Sequence, residues 1–232
     1  EPADVRGSEI EADLTGTRFV LEAGGRKTAV SLGLLGRFSV WNALAAAAAA
    51  TVLGASPDEI GRGLEKTPAV PGRFQLVTGP GAPSVVVDYA HTPDALERVL
   101  RFCAELGASR VVTVFGCGGD RDRGKRPEMG RVAARWSDEV IVTDDNPRTE
   151  DPAAIVEEIL GGMRGSSTSR TVVQDRREAI RRAVSGARAG ELVVIAGKGH
   201  EEYQIVGTER RRFSDVEEAR TALGAGGAAD EG

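Results

Sequence analysis

The chain has 232 residues and a formal net charge of −5, from 35 acidic and 30 basic residues. This length permits one large domain or two modest ones, and we expect two. Because basic residues are not in excess, the composition favours small-molecule substrates and predicts neither nucleic acid nor a membrane as a partner. The longest apolar stretch, 43–53, is too short to cross a bilayer, which takes about 20 apolar residues.

The chain contains two cysteines, Cys103 and Cys117, and two histidines. There is no CxxC pair and no ligand-like spacing to the histidines, so the sequence predicts neither a disulfide framework nor a zinc site. Together with the lack of a signal-peptide pattern, this predicts a cytoplasmic protein. The sequence begins at Glu1 rather than at a methionine, and we expect that an upstream part is missing.

The first elements along the chain are a predicted hairpin and a helix. The hairpin arms are predicted over 17–23 and 27–32, joined at Gly24-Gly25, a dipeptide that tolerates the positive φ of a tight turn. An alanine-rich helix is predicted over 39–53, where small side chains permit close packing.

A second helix and a domain boundary are predicted next. The run Ser-Pro-Asp-Glu at 56–59 has the form of a capping box, with proline at the first helical position. The stretch 67–72 contains two prolines and a glycine and lacks apolar periodicity, which is typical of a linker. We therefore place the domain boundary after Gly72.

Beyond the boundary, short apolar β-branched runs alternate with segments of helical length. The runs are Ser84–Val87, Arg110–Phe115, Glu139–Thr143, Thr171–Gln174 and Leu192–Ala196. This alternation predicts an α/β fold with a mostly parallel sheet, whose right-handed crossovers place all strand ends on one side. The tail rich in glycine and alanine, 225–232, is predicted to be disordered.

Four loops follow directly after predicted strands and hold the candidate functional residues. They are Asp88–His91, Gly116–Arg126, Asp144–Arg148 and Gly197–Glu201. An open parallel sheet binds ligands in the crevice beyond the carboxyl ends of its strands. We therefore expect the four loops to form one site.

The segment Asp145-Asn146-Pro147-Arg148 is the most specific of these signals. Pro147 fixes its own φ and favours an extended Asn146, so the loop directs Arg148 in a defined way. A guanidinium held like this suits bidentate binding of a carboxylate. The alternative is a turn that ends a strand and whose arginine forms a surface ion pair of little energetic value.

The glycine-rich loop 116–126 has the outline of a phosphate-binding loop without its essential residues. Gly119 and Gly124-Lys125 have P-loop spacing, but Arg126 occupies the place of the required serine or threonine. Arg121 likewise replaces the third glycine of GxGxxG. The loop is either a solvated, charged connector or, as we favour, a segment whose glycines let the backbone approach a ligand closely.

Both histidines of the chain, His91 and His200, lie in these loops. The loop with Asp88 and His91 precedes a helix N-terminus that can attract a nucleotide phosphate, unless Asp88 only caps the chain and His91 packs in the core. Glu201 is a candidate partner for a substrate ammonium, or an exposed residue at the start of a polar strand.

Six segments carry a resemblance to a known family: GRFSVWNALAAAAA, VPGRFQ, VVDYAHTPDALE, VFGCGGDRDRGKRPEMG, VTDDNPRTEDP and IAGKGHEEYQ. In order and spacing they resemble the Mur ligases over nearly the whole chain. That family has a UDP-sugar domain, a central ATPase domain and a C-terminal Rossmann-like domain that brings the amino acid. The resemblance implies that residues 1–72 are the C-terminal part of the central ATP-binding domain. It implies that residues 73–224 are the C-terminal amino-acid-binding domain.

The resemblance also implies roles for individual residues. Those implied for ATP are Asn42, Arg73, Asp88 and His91. Those implied for meso-diaminopimelate are Arg121, Asp145, Asn146, Pro147, Arg148, Gly197 and Glu201. Arg121 and Arg148 would hold the distal carboxylate and Glu201 the distal ammonium. A lysine substrate lacks that carboxylate and would leave guanidinium charge unpaired, so lysine-adding relatives should lack Arg148.

The activity implied is an ATP-dependent ligase of peptidoglycan biosynthesis, a monomer that adds meso-diaminopimelate to UDP-N-acetylmuramoyl-L-alanyl-D-glutamate through an acyl phosphate formed with MgATP. The family's P-loop, magnesium-binding glutamate and carbamylated lysine belong to the part of the central domain that this chain lacks. We therefore assign no catalytic residue and no Mg²⁺ ligand here, and expect the chain alone to be inactive. Ser39 stands where many relatives have the first asparagine of an NxxN motif, which puts that nucleotide contact in doubt.

Two other functions remain open from the sequence. A folylpolyglutamate synthase shares the architecture and could share the nucleotide motifs, but should not need paired arginines directed at a second amino-acid centre. A non-catalytic module that binds an amino acid is the other alternative.

Overall fold

The computed structural model describes residues 3–226. The chain divides between Val70 and Pro71 into two compact units, within the proline-containing stretch where the sequence predicts a boundary. Each unit contains its own sheet. Among the described residues, no helix is both long enough and apolar enough to span a membrane.

The first unit is a three-stranded antiparallel sheet with two helices. Its elements are β1 (Val5–Asp13), β2 (Gly16–Ala23), β3 (Arg26–Leu32), α1 (Arg37–Val52) and α2 (Pro57–Glu65). The predicted hairpin is confirmed, and its two turn residues, Gly24 and Gly25, have φ of 55° and 75°. Strand β1 was not predicted, because its sequence lacks regular apolar alternation and its pairing with β2 shifts register between Ser8 and Glu11.

The helices of the first unit begin where local chemistry places them. The predicted capping box of α2 is present, since Ser56 accepts from the backbone of Glu59 and the Glu59 carboxylate accepts from the backbone of Ser56. Helix α1 buries Val40, among a few other residues, against the sheet. Its other face leaves Trp41 75% exposed, and Val52 and Leu53 follow at the helix end, each 87% exposed.

The second unit is built on a six-stranded sheet, as the alternation of strands and helices predicts. Its strands are β4 (Gln75–Val77), β5 (Ser84–Asp88), β6 (Val111–Phe115), β7 (Glu139–Val142), β8 (Ser169–Val172) and β9 (Leu192–Ala196). The strand order is β4-β5-β9-β6-β7-β8, and only the pair β4 and β5 is antiparallel. The predicted α/β class and mostly parallel sheet are therefore confirmed.

Five helices and one small hairpin complete this unit. They are α3 (Pro93–Glu105), α4 (Lys125–Trp136), α5 (Pro152–Gly162), α6 (Arg176–Gly186), α7 (Asp215–Gly226), β10 (Tyr203–Val206) and β11 (Glu209–Arg212). Helix α7 includes residues 225 and 226, and this corrects the prediction of disorder at these two positions. The rest of that predicted tail, 227–232, lies outside the described residues.

Two details of the sheet differ from the sequence prediction. Strand β8 begins and ends two residues before the predicted run 171–174, because it is an exposed edge strand whose burial pattern gives no period. Strand β4 and the β10–β11 hairpin were not predicted, because each of these three strands is only three or four residues long. Strand β10 of this hairpin contacts the loop after β7, where Ile205 N–H donates to Asn146 Oδ1.

Helices α4 and α5 pack backbone against backbone. A Cβ atom on Gly130 would lie 2.1 Å from the Ile159 carbonyl oxygen, and one on Gly162 would lie 1.8 Å from the Pro127 carbonyl oxygen. Gly161, the neighbouring residue in the same helix, has no atom within 4 Å of the corresponding position. Glycine is therefore required on one side of α5 and is dispensable on the other.

This contrast predicts opposite effects of two adjacent substitutions. Gly162→Ala should lower the free energy of unfolding by about 1–3 kcal/mol or more, because the helices must separate. Gly161→Ala should raise it by about 0.5–1 kcal/mol, because alanine loses less backbone entropy in a helix. Urea denaturation of the two variants and the parent chain measures both. Equal destabilisation by the two substitutions would show that the close helix contact is not the cause.

Candidate functional site

The four predicted loops meet along one edge of the sheet. Strands β5, β9, β6 and β7 are consecutive neighbours and parallel, so their carboxyl ends share this edge. The loops are also joined by backbone hydrogen bonds: Gly197 N–H donates to the Asp88 carbonyl at 3.1 Å, and Gly119 N–H donates to the Asn146 carbonyl at 2.9 Å. The prediction that the loops lie together is confirmed.

Asn146 is the most fully bonded residue of the site. Its side chain is buried, and its Oδ1 accepts from Lys198 Nζ at 2.8 Å and from the backbone N–H of Ile205 at 2.9 Å. Its Nδ2 donates to Glu201 Oε2 at 3.0 Å. Asn146 thus connects the loop after β7, the loop after β9 and strand β10.

Arg148 is held by its backbone against β10. Its φ is 51°, and its N–H donates to the Ile205 carbonyl at 3.1 Å while its carbonyl accepts from Gly207 N–H at 2.7 Å. The guanidinium Nη1 donates to the Gly119 carbonyl at 2.7 Å. The backbone of a non-glycine residue in the left-handed region is costly, and the flanking bonds to β10 hold it there.

Arg121 and Arg148 border the same glycine. A Cβ atom on Gly118 would lie 2.9 Å from Arg148 Nη1 and 3.9 Å from Arg121 Cγ. Arg121 is exposed and its Nη1 donates to the Asp120 carbonyl, whereas Arg148 is half-buried. Contacts therefore run from Arg148 through Asn146 to Glu201, and Arg121 lies beside Gly118 in the neighbouring loop.

A buried arginine that the sequence analysis did not name as a site residue supports the glycine-rich loop. Arg126 has no exposed surface, bonds both Glu150 and Glu158, and donates to the Gly118 carbonyl at 3.2 Å. The hydrogen bonds from Arg126 lower the pKa of Glu150 to about 2. Asp120, whose backbone N–H donates to Glu150, has a φ of 53°. In place of a P-loop serine, Arg126 is a structural anchor for this loop.

Lys198 is a second buried cation that sequence reasoning missed as a site residue. Its side chain has no exposed surface, and Nζ lies 3.1 Å from Asp145 Oδ1 and 3.7 Å from Glu201 Oε2. It also donates to the Tyr203 carbonyl at 2.9 Å. The only sequence signal was its position between Gly197 and Gly199, because burial of a lysine is rare and leaves no periodic pattern.

Tyr89 and His91 after β5, together with Arg73 before β4 and His200 after β9, form a patch of aromatic and cationic groups that is exposed except for the half-buried Tyr89. The Arg73 guanidinium lies 4.6 Å from the centre of the Tyr89 ring. The rings of His91 and His200 lie 4.5 Å and 5.0 Å from that ring. Both histidines are exposed, so the alternative of a core His91 is not supported.

Asp88 acts inside this patch through the backbone. Its two carboxylate oxygens accept from Phe74 N–H at 2.7 Å and Ala90 N–H at 2.8 Å. Burial raises the pKa of Asp88, and those two hydrogen bonds oppose the shift. Asp88 therefore fixes the segments that carry Arg73 and Tyr89.

A third buried cation, Arg176, lies beneath the loops. It forms a buried ion pair with Asp215, at 2.7 Å, and donates to the carbonyl of Ala196, the last residue of β9. Its Nη1 has no hydrogen-bond partner among the described residues. Burial raises the pKa of Asp144 to about 6, an effect that the nearby Arg176 charge opposes.

Asn42 and Ser39 both lie in the first unit, on α1. Asn42 is exposed, whereas Ser39 is buried and its hydroxyl donates to the Leu35 carbonyl at 2.7 Å. The Ser39 hydroxyl is thus bonded to the segment that directly precedes its helix. Among the residues that the structure describes, no group of three or more His, Cys, Asp or Glu side chains could hold a metal ion.

The sequence and the structure of this chain are similar to those of known proteins. The family model "Mur ligase, glutamate ligase domain" matches residues 72–199. A UDP-N-acetylmuramoyl-L-alanyl-D-glutamate–2,6-diaminopimelate ligase of Syntrophomonas wolfei is 49% identical over 222 residues, 95% of this chain and 45% of the relative. A ligase of the same name from Geobacter metallireducens is 52% identical over 205 residues, 82% of this chain and 40% of the relative.

Solved structures agree with the fold. The structure of a UDP-N-acetylmuramoyl-L-alanyl-D-glutamate–2,6-diaminopimelate ligase is 42% identical in sequence to this chain and has a TM-score of 0.71. The match covers 97% of this chain and 46% of the ligase chain. A folylpolyglutamate synthase of Thermotoga maritima, 24% identical over 84% of this chain and 44% of its own, has a TM-score of 0.63 and shows the fold alone. The chain spans less than half the length of these relatives. On the family match and these identities, the chain belongs to the Mur ligase family.

Proposed function

We propose that the chain is the C-terminal part of an ATP-dependent ligase that adds meso-diaminopimelate to UDP-N-acetylmuramoyl-L-alanyl-D-glutamate through an acyl phosphate. The observation that carries this proposal is the set of contacts that links Arg148, Asn146 and Glu201 on one sheet edge, with Arg121 beside Gly118 in the neighbouring loop. Two cations and one carboxylate suit a ligand end that bears both a carboxylate and an ammonium. The names of relatives 45–52% identical to the chain support the same substrate.

The substrate's distal end would be recognised by charge and hydrogen bonds together. Arg148 and Arg121 supply planar donors for a carboxylate. Glu201 Oε2 is bonded to Asn146, and its other oxygen, Oε1, accepts no hydrogen bond from the described residues. Oε1 is therefore available for an ammonium. Asp145, Pro147 and Gly197 belong to the same pocket as residues that shape its loops.

The first unit would be the end of the central ATPase domain. Trp41 on α1 is 75% exposed, and Val52 and Leu53 at the end of the helix are each 87% exposed. Such exposed large apolar side chains are what a surface that packs against further chain would have, which supports this assignment. Asn42 would approach the nucleotide from this unit. The catalytic P-loop and the magnesium ligands would come from the rest of that domain.

Nucleotide binding by the second unit would use the patch of Arg73, Tyr89, His91 and His200. An exposed cation and three rings fit the charge and the flat base of ATP. ATP, with Mg²⁺, would supply the phosphoryl group that activates the substrate carboxylate. Asp88 would contribute by holding the segments that bear Arg73 and Tyr89.

We further propose that the protein acts in the cytoplasm, as a monomer, on small molecules only. Its two cysteines, Cys103 and Cys117, are unpaired and buried, as is usual in a reducing compartment. Burial raises the pKa of Cys117 to about 12 and that of Cys103 further. Both thiols are thus unreactive packing residues.

Binding of the free amino acids tests the proposed substrate. Calorimetric titration of this chain should show tighter binding of meso-diaminopimelate than of L-lysine. Arg148→Lys should weaken diaminopimelate binding about 10- to 100-fold, because a bidentate bond to a charged group is lost. The affinity for L-lysine should be unchanged.

Arg131→Lys is the matched control, because Arg131 is exposed on α4 and has no ion-pair partner among the described residues. It should leave both affinities as in the parent chain. Equal binding of the two amino acids, or binding of neither, would refute the proposed substrate.

A chimera tests the proposed reaction against the two alternative functions. We expect this chain, joined to the upstream part of the Geobacter metallireducens relative, to release phosphate from ATP only when both UDP-N-acetylmuramoyl-L-alanyl-D-glutamate and meso-diaminopimelate are present. Activity with folate and glutamate instead would indicate a folylpolyglutamate synthase. A folded chimera that binds diaminopimelate without releasing phosphate would indicate a non-catalytic module.

A further inference from the structure

Lys198 lies directly behind the residues proposed to bind the amino acid and has no contact with solvent. Its ammonium donates to Asn146 Oδ1 at 2.8 Å and to the Tyr203 carbonyl at 2.9 Å. It lies 3.1 Å from Asp145 Oδ1 and 3.7 Å from Glu201 Oε2. Four groups from three segments therefore surround one buried charge, which is costly unless it is fully compensated.

This contact decides which way the Asn146 amide faces. An ammonium and a backbone N–H are donors only, so the atom that meets both Lys198 and Ile205 must be the amide oxygen. The amide nitrogen is then forced to face Glu201, to whose Oε2 it donates at 3.0 Å. Without Lys198, one of the two constraints on the amide is lost.

The orientation of Asn146 in turn decides which oxygen of Glu201 is available to a ligand. Oε2 is occupied by the amide, and Oε1 is left without a partner among the described residues. The positive charge of Lys198 lies closer to Asp145 than to Glu201, at 3.1 Å against 3.7 Å. Lys198 is thus within ion-pair distance of both carboxylates, and Glu201 Oε1 remains without a hydrogen bond among the described residues.

We propose that Lys198 is a positioning residue for recognition of the substrate's distal ammonium. It orients the Asn146 amide and, through it, presents Glu201 Oε1 to the ligand. This role rests on the proposed function, because it presupposes that an amino acid with a distal ammonium binds here. Arg121 and Arg148, which would face the carboxylate, are outside its contacts.

A purely structural role is the competing explanation, since Lys198 also bonds the Tyr203 carbonyl of β10. Loss of a structural anchor would weaken every ligand of the pocket alike. Loss of a positioning residue for the ammonium would weaken only ligands that have one. The two roles therefore differ in how a substitution depends on the ligand.

Pimelate provides the matching ligand, because it has the carbon chain and both carboxylates of diaminopimelate and no ammonium. We expect Lys198→Met to weaken meso-diaminopimelate binding about 10- to 100-fold and pimelate binding less than about threefold, measured by NMR titration of this chain. Glu201→Gln should give the same pattern. The double variant should lose little more than either single one, because the two residues act in one chain of contacts.

Arg110→Met is the control for removal of a half-buried cation that lies between two carboxylates away from the site. Arg110 pairs with Glu139 and Glu191 at the opposite, amino ends of the strands. Its substitution should change neither affinity. If Lys198→Met does not fold, Lys198→Gln, a neutral side chain that retains amide donors, replaces it in the same titrations.

Losses of similar size for both ligands would overturn the positioning role while leaving the proposed substrate intact. Failure of the parent chain to bind diaminopimelate would instead overturn the proposed substrate, and with it the ligand half of this inference.

A ligand-free measurement tests the other half. In ¹⁵N spectra the Asn146 side-chain amide should give a protected, slowly exchanging pair that becomes solvent-like in Lys198→Met. Persistence of the protected pair in the variant would show that Lys198 does not orient the amide.

Discussion

The position of β9 between β5 and β6 is the constraint on which the site depends. This strand comes last among the six in the chain but pairs with two strands that precede it. Its loop is thereby placed between the loop that carries Asp88 and the glycine-rich loop after β6. Such a break in strand order opens a crevice at the carboxyl ends, and here polar and charged groups line that edge.

Three cations with no exposed surface make this polar packing possible. Arg126 supports the loop after β6, Lys198 supports the loops after β7 and β9, and Arg176 bonds the end of β9. Each is compensated by at least one carboxylate, as a buried charge must be. The residues proposed to face the ligand, Arg121 and Arg148, are by contrast at least partly exposed. Rigidity and recognition are thus assigned to different cations.

Much of this architecture could be predicted from the sequence, and the remainder could not for physical reasons. Strands buried on both faces have continuous apolar runs, so β9 was predicted with its observed bounds, and capping residues marked the helix starts. The exposed edge strand β8 and the short hairpin β10–β11 have no such pattern. Loop residues such as Glu201 could be named from position. Partners such as Lys198 with Asn146, 52 residues apart, depend on tertiary structure alone.

The turn after β9 joins the two parts of the second unit's site. On one side it presents Lys198 and Glu201 to Asn146. On the other, Gly199, with φ of 52°, packs so closely on Tyr89 that a Cβ atom would lie 2.7 Å from the Tyr89 Cβ. Because the interior is close-packed here, the turn cannot shift toward the ring beside Arg73 unless the ring also moves. The residues proposed to bind the amino acid and the Arg73–Tyr89 patch are therefore joined through one backbone segment.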